Sequence, residues 1–296
     1  MWPRRGIGEL RVESSQKFAL TGFSEVRPFV LINGAKGLPR SGRRDPSRTR
    51  RRLRRHRLGG DRGITLGGEV GYFVRKHGLT IEDVLGAEIV TADGRLLRVD
   101  AEEHPDLFWA IRGGGNFGVV SRFHYRLHEV DEIVGGMLIL PVTPEVIHSF
   151  VAQAEAAPEK LSTIVNVMAA PPMPFLPAEV HGRLIIMAML VYAGEVDEGE
   201  RAIAPFRTLA IPIADMVKPM RYPEIYPPEE DDYHPVASGR TMFLDAIDHS
   251  VAETIVEYLQ ASSAQMAVAQ IRVLGGRWPA CRPRPRPSPT AARASW

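Results

Sequence analysis

Arg112-Gly113-Gly114-Gly115-Asn116-Phe117-Gly118 is the string on which the reading of this chain turns. Gly113, Gly115 and Gly118 satisfy a G-x-G-x-x-G spacing. A dinucleotide loop of the Rossmann kind needs a strand before it and a helix after it. Here the order is reversed. Pro105 suits the first turn of a short helix through Leu107, Phe108 and Ile111, which the glycines end. The residues that follow alternate as a strand does. Val119, Ser121, Phe123, Tyr125 and Leu127 are expected on one face, and Arg122, His124, Arg126 and His128 on the other. Two readings of the glycines remain. They form a plain cap and turn, or they let backbone press against a flat or anionic ligand.

Upstream, Gly63-Ile64-Thr65-Leu66-Gly67-Gly68-Glu69-Val70-Gly71-Tyr72 sets glycines ahead of a helix. Val70, Phe73, Val74 and His77 have i, i+3, i+4, i+7 spacing, and Gly78 offers a C-cap. Free N–H donors at such a start make an anion site suited to a pyrophosphate. A tight turn with close helix packing is equally compatible. Between the two glycine strings, Ala87–Thr91 and Leu96–Val99 read as strands. Ala92-Asp93-Gly94-Arg95 joins them as a hairpin.

Downstream lies a second unit. Leu138–Leu140, Ile164–Met168, Arg183–Tyr192 and Ala267–Leu274 read as strands. Thr143-Pro144-Glu145 starts a helix to about Ala156, with an N-cap, an N1 proline and an early acid. Val196–Leu209 and Val251–Gln260 are further helices, and Met216–His234 is a Pro/Tyr/acid loop. This mixture predicts an α+β fold with a mainly antiparallel sheet. Phe18, Leu20, Phe23, Val26 and Phe29–Ile32 suggest one or two strands without a sustained period.

Charge is segregated. Residues 1–62 hold 17 Lys/Arg against 5 Asp/Glu, and 277–296 hold five Arg and no acid. The middle is left with 15 bases against 30 acids, although the whole chain is only +2. The ten Arg of residues 40–57 have almost nothing to bury, and should not fold alone. A nucleic-acid function competes here. No aromatic residue interleaves with the arginines, and the acidic body would repel the same ligand. The longest apolar run, Leu184 to Tyr192, is too short for a membrane helix. No signal peptide is visible. Cys281 is the only cysteine, so no intramolecular disulfide or cysteine-based zinc cluster is expected. A cytoplasmic location is the default.

Four strings occur in order: Gly63-Ile64-Thr65-Leu66-Gly67-Gly68, Arg75-Lys76-His77-Gly78-Leu79-Thr80, Ala87-Glu88-Ile89-Val90-Thr91-Ala92-Asp93-Gly94, and His104-Pro105-Asp106-Leu107-Phe108-Trp109-Ala110-Ile111 running on through Gly113–Val120. Together they resemble the second half of the FAD-binding domain of berberine-bridge-like oxidases. These are FAD-linked oxidoreductases of the vanillyl-alcohol-oxidase/PCMH type. The resemblance implies a partial FAD-binding domain at 63–130 and a substrate domain at 131–276, with 1–62 and 277–296 as largely disordered ends. It implies FAD as cofactor and a small alcohol, amine or sugar as substrate, oxidised by hydride transfer, with dioxygen as a possible acceptor. Gly67, Gly68 and Gly71 would meet the flavin or its pyrophosphate. Gly113, Gly114, Gly115, Asn116, Phe117, Gly118 and Val119 would line it through backbone contacts. No metal and no catalytic base is assigned.

Three departures accompany the resemblance. Glu69 stands where the family usually has glycine. The upstream half of the flavin domain is not recognisable in residues 1–62, where His56 is the only histidine. The family's C-terminal flavin contacts are absent after Gly276. Arg277-Trp278-Pro279-Ala280-Cys281 and the Arg/Pro tail suggest a shifted reading frame near Gly276, and the Arg run suggests another before Gly63. Activity of this copy is then expected to be impaired. Outside the glycine strings, His124, Arg126 and His128 share a face better explained by solvent than by substrate. Tyr222, Tyr226 and Tyr233 suit an exposed loop or a substrate-side lid. Met187 and Met189 are read as core.

Overall fold

The computed structural model describes residues 65–67, 70–113, 115–130, 132–226, 239–264 and 266–275, and the backbone of 28–32. The Arg run, His56, Gly68, Glu69, Gly114, Tyr233 with its acidic neighbours, and the tail from Gly276 lie outside the described residues. Two antiparallel sheets organise the rest, so the fold is α+β.

The strands in chain order are β1 (Pro28–Ile32), β2 (Val84–Val90), β3 (Leu96–Asp100), β4 (Val119–Tyr125), β5 (Glu132–Pro141), β6 (Leu161–Ala169), β7 (Leu184–Tyr192), β8 (Ala214–Asp215), β9 (Lys218–Arg221), β10 (Arg240–Phe243) and β11 (Val268–Val273). The helices are α1 (Val74–His77), α2 (Pro105–Ala110), α3 (Pro144–Ala156), α4 (Val196–Arg207) and α5 (His249–Ala261). The small sheet has the order β3-β2-β4. The large one runs β10-β1-β11-β6-β7-β5-β8, with β9 also paired to β5. Thus β1 joins the large sheet, between β10 and β11.

Local chemistry accounts for the best-defined elements. The Thr143 side chain accepts from Val146 N, and Pro144 opens α3, as capping rules require. Asp248 does the same for α5 through Val251 N. The hairpin between β2 and β3 turns through Thr91–Arg95, where Gly94 has φ +81°. One face of the large sheet packs against α3, α4 and α5, through Phe150, Ile147, Ile203, Phe206 and Ala252 on Leu138, Val165, Ala188 and Ile271. Among the described residues, the opposite face carries no helix longer than one turn.

Three expectations are corrected. Val119 does not share a face with Phe123 and Tyr125. Val120 pairs with Ile89 and Arg122 with Glu88, so Ser121 is an extra residue in the ladder. This bulge inverts the alternation. Val120 enters the small core beside Phe123 and Tyr125, and Val119 is 70% exposed. The helix expected from Val70 shrinks to the single turn α1, because its apolar residues serve two cores. Val70 and Val74 pack into the small core, whereas Tyr72 and Phe73 pack on the helix-free face of the large sheet. The stretch after Met216 is not only loop. It contributes β9, and Tyr222 is buried against Phe73 with ring centroids 4.5 Å apart.

The α1 turn also delivers Arg75, only 2% exposed, to the end of α3. Its guanidinium donates to Ala154 O at 2.5 Å, Ala157 O at 2.9 Å and Leu161 O at 3.3 Å. These carbonyls end α3 or lead into β6, and a helix C-terminus favours a cation. Burial lowers the Arg75 pKa, while Glu159 and Glu155 act in the opposite sense. Nearby, Lys76 Nζ donates to Ala193 O at 2.7 Å. His128 bonds Asp83 at 2.8 Å and stacks on His77 at 4.0 Å. His128 is therefore not on a solvated face.

Two predictions arise here. Arg75→Ala strands three carbonyls, and should lower unfolding free energy by about 2–4 kcal/mol in urea titration; Arg75→Lys should lose less. The second concerns His249, which bonds Glu145 at 2.8 Å and approaches Glu253 at 3.3 Å. The Glu145 hydrogen bond raises the His249 pKa, and His249 holds Glu145 down at about 2. The imidazolium's contribution is fully present below the ordinary histidine value of 6.5 and is lost as pH rises through the raised folded value. The carboxylate's contribution is present above 4.5 and lost as pH falls through about 2. Glu145→Gln should flatten the fall in Tm expected as pH rises above about 6.5, through the raised His249 pKa.

Candidate functional site

The two glycine strings are rooted in one core. Thr65 Oγ1 and the Tyr125 hydroxyl are hydrogen-bonded at 2.7 Å, which ties the start of the first string to β4. Leu66 and Val70, on either side of the first turn, pack against the cluster that contains Ile111 and Val120. Ile111 and Val120 flank the second turn. The small core therefore fixes both turns to the same three-stranded sheet.

The glycines divide by what surrounds them. A Cβ on Gly71 or on Gly113 would meet nothing within 4 Å. Gly113 has φ +111° and Asn116 φ +70°, both in the left-handed region. A Cβ on Gly118 would instead lie 2.3 Å from Val90 O and 2.9 Å from Ile89 Cγ1. Gly118 is therefore required by close packing of the strip on β2. Gly71 and Gly113 leave main chain open to the outside, as approach of a flat ligand needs. For Gly67, the structure places the residue in the first turn and half-buried.

Apolar side chains stand exposed along the second strip. Phe117 is 45% exposed, Trp109, on α2, is 63% exposed, and Val119 is also exposed. Gly113, Gly115, Asn116 and Gly118 are exposed as well. Large apolar groups on a surface mark something that covers them. Arg112 heads the strip. Its guanidinium carbon lies 5.3 Å from the centre of the Phe108 ring, and its Nε is buried with no hydrogen-bond partner among the described residues. The donor set suits an anion. A cation, open backbone and apolar cover fit a dinucleotide cofactor in kind.

A second surface meets the first turn. On the helix-free face of the large sheet, Arg272 Nε donates to Gln270 Oε1 at 3.0 Å, and Gln270 Nε2 donates to Asn166 Oδ1 at 2.9 Å. Arg272 Nη1 donates to Val70 O, one residue from Gly71. The row ends beside Met187, the β7 partner of Asn166. Sequence reading missed these three residues. Gln270 and Asn166 are 104 positions apart, and no local pattern joins them. Tyr222 and Tyr226 bond to each other at 2.7 Å and pack with Tyr72 and Phe73. They act as cladding of this face, whereas an exposed loop or a substrate-side lid was expected. His124 and Arg126 are exposed.

No family model matches the chain. It is 30% identical over 166 residues to (R)-6-hydroxynicotine oxidase of Paenarthrobacter nicotinovorans, covering 55% of this chain and 35% of that one. It is 44% identical over 77 residues to an FAD-linked oxidoreductase of Aspergillus terreus, covering 26% of this chain and 16% of the relative. The solved structure of 6-hydroxy-D-nicotine oxidase from Arthrobacter nicotinovorans superposes with a TM-score of 0.56 at 22% identity, over 76% of this chain and 56% of that one. The chain thus spans about a third or less of the length of these curated relatives. The relatives are FAD-linked oxidoreductases of the kind that the glycine strings resemble, and the fold is shared with an oxidase of that type. Among the described residues, no helix is long and apolar enough to cross a membrane.

The packing assigned to Gly118 is directly testable. Gly118→Ala forces a methyl onto a backbone carbonyl at a φ of +149°. It should cost about 2–4 kcal/mol of stability in chemical denaturation, whether or not a ligand is added.

Proposed function

We propose that this chain carries part of an FAD-dependent oxidoreductase that removes a hydride from a small organic substrate, an alcohol, an amine or a sugar. The bound flavin would supply the hydride acceptor, and dioxygen is the proposed final oxidant. The observation that carries this reading is the pair of glycine turns held by one core, with open main chain at Gly71 and Gly113.

The proposed cofactor contacts are Gly67, Gly68 and Gly71 in the first turn. In the second they are Gly113, Gly114, Gly115, Asn116, Phe117, Gly118 and Val119. Gly71 and Gly113 would let backbone N–H and C=O groups approach a ring or a phosphate without a side chain between. Arg112 would balance negative charge on the phosphates. Phe117, Val119 and Trp109 would exclude water from the ligand's apolar edge. Residues 63–130 would form the flavin side and 131–276 the substrate side. Arg75 and Arg272, which bond across the two, would hold them in register. Glu69 would have to point to solvent, because a carboxylate against a phosphate is repelled.

Gly71→Ala separates this reading from a purely structural one. The added methyl meets no atom, so Tm should stay within about 2 °C of the parent. FAD affinity, followed by visible flavin absorbance in a titration of the purified chain, should fall about tenfold or more, because the methyl occupies ligand space. A parent chain that shows no flavin absorbance after incubation with FAD and desalting would overturn the proposal.

A further inference from the structure

The helix-free face of the large sheet is apolar on two sides and polar between them. One cluster gathers Ile133, Ile164 and Val191 under Tyr72 and Phe73, with Met189 at its margin. The other gathers Ile139, Ile185 and Met187 with Leu176, and Met137 and Met168 at its margin. The two clusters do not merge. Asn166 sits where they part, paired across the sheet with Met187 on β7 and with Gln270 on β11. Its side chain is half-buried.

Chemistry sets the polarity of the row that ends there. A guanidinium only donates. Arg272 Nε therefore takes the oxygen of Gln270, and leaves its amide nitrogen to face Asn166. That nitrogen takes the oxygen of Asn166. Flipping either amide would oppose two donors, so the order Arg272, Gln270, Asn166 admits one arrangement. The outcome is an Asn166 Nδ2 that keeps its N–H groups, with no acceptor for them among the described residues. The row carries the donor character of a cation to the seam between two methionine-edged clusters, while the charge itself stays beside Val70.

We infer that Asn166 Nδ2 is the recognition donor for an oxygen acceptor on the substrate, a carboxylate, carbonyl or hydroxyl attached to a small ring. The ring would lie on the half-buried thioethers of Met189 and Met137, which adapt to flat apolar shapes, with Met187 buried beneath as core. Gln270 and Arg272 are positioning residues, acting through the orientation of the Asn166 amide. That this face is the substrate side rests on the proposed function; the donor polarity of the row does not.

The test uses the full chain and two probes of one shape and opposite sign, benzoate and benzylamine. Their binding is followed by calorimetry with and without added FAD. The parent should prefer benzoate. Asn166→Asp replaces a donor by a carboxylate of the same size. It should weaken benzoate about tenfold or more and reverse the preference. Gln270→Glu keeps an acceptor for Arg272 but no longer donates to Asn166, which frees that amide to turn. It should narrow the preference without reversing it, and a Tm near the parent's confirms folding of both variants. A parent that binds neither probe, or benzoate binding unchanged in Asn166→Asp, overturns the inference. Flavin absorbance read on the same samples keeps the two ideas apart. FAD binding with no response to Asn166 sinks this inference alone. A preference that reverses in a chain that takes up no FAD sinks the flavin reading alone.

Discussion

A buried guanidinium joined to main-chain carbonyls is the interaction on which this architecture hangs. Arg75 comes from the single turn α1, and its hydrogen bonds go to Ala154, Ala157 and Leu161. Removing a cation from water is costly unless its donors are satisfied. Here the acceptors are the orphan carbonyls at the end of α3 and the carbonyl that opens β6, which need donors of their own. The two terminal nitrogens and the carbonyls thus answer each other's requirements, while Arg75 Nε stays buried without a partner among the described residues. The same short segment sends Val70 and Val74 into the small core, and Tyr72 and Phe73 onto the large sheet. One turn of helix therefore sets the position of both glycine strings relative to the methionine-lined face.

That coupling gives the glycines distinct meanings. Gly118 lies so close to Val90 O that only hydrogen fits, so packing already requires a glycine there. Gly71 and Gly113 have no such neighbour; at Gly113 the φ of +111° already favours glycine, whereas at Gly71 neither packing nor a positive φ accounts for it. Exposed Phe117, Val119 and Trp109 stand along the same strip, where a solvated surface would ordinarily carry charge. The open main chain and the uncovered apolar groups belong to one surface, which is why a flat cofactor with an anionic part is the ligand the strip suits.

The opposing surface works by a different principle. In the proposed site, Met137 and Met189 would provide a soft apolar bed that discriminates little by shape. The discrimination would lie in a single hydrogen-bonded row whose direction is dictated by Arg272. Such a row gives orientation at low electrostatic cost, because the full charge remains near the first glycine turn and only an amide dipole reaches the seam. A site built to hydrogen-bond an oxygen rejects analogues without one more strongly than an apolar pocket can.

The sequence by itself determined what depends on neighbours along the chain. Thr143-Pro144-Glu145 placed the start of α3, because a cap, a fixed φ and an early acid act within one turn. Asp93-Gly94 placed the hairpin, and the helix-then-strand order around Gly113–Gly118 set aside the Rossmann reading. The likeness to FAD-linked oxidoreductases was likewise legible, since the ordered strings are local. Only the tertiary structure decided that Val119 faces out and Val120 in. A bulge depends on the ladder opposite, and Ser121 carries no mark of it. β8, β9 and β10 are short edge segments whose pairing partners, distant in sequence, define them. The row from Arg272 to Asn166 was invisible for the same reason. Periodicity and capping are properties of a few consecutive residues, whereas register and side-chain contact across a sheet arise only when burial brings distant strands together.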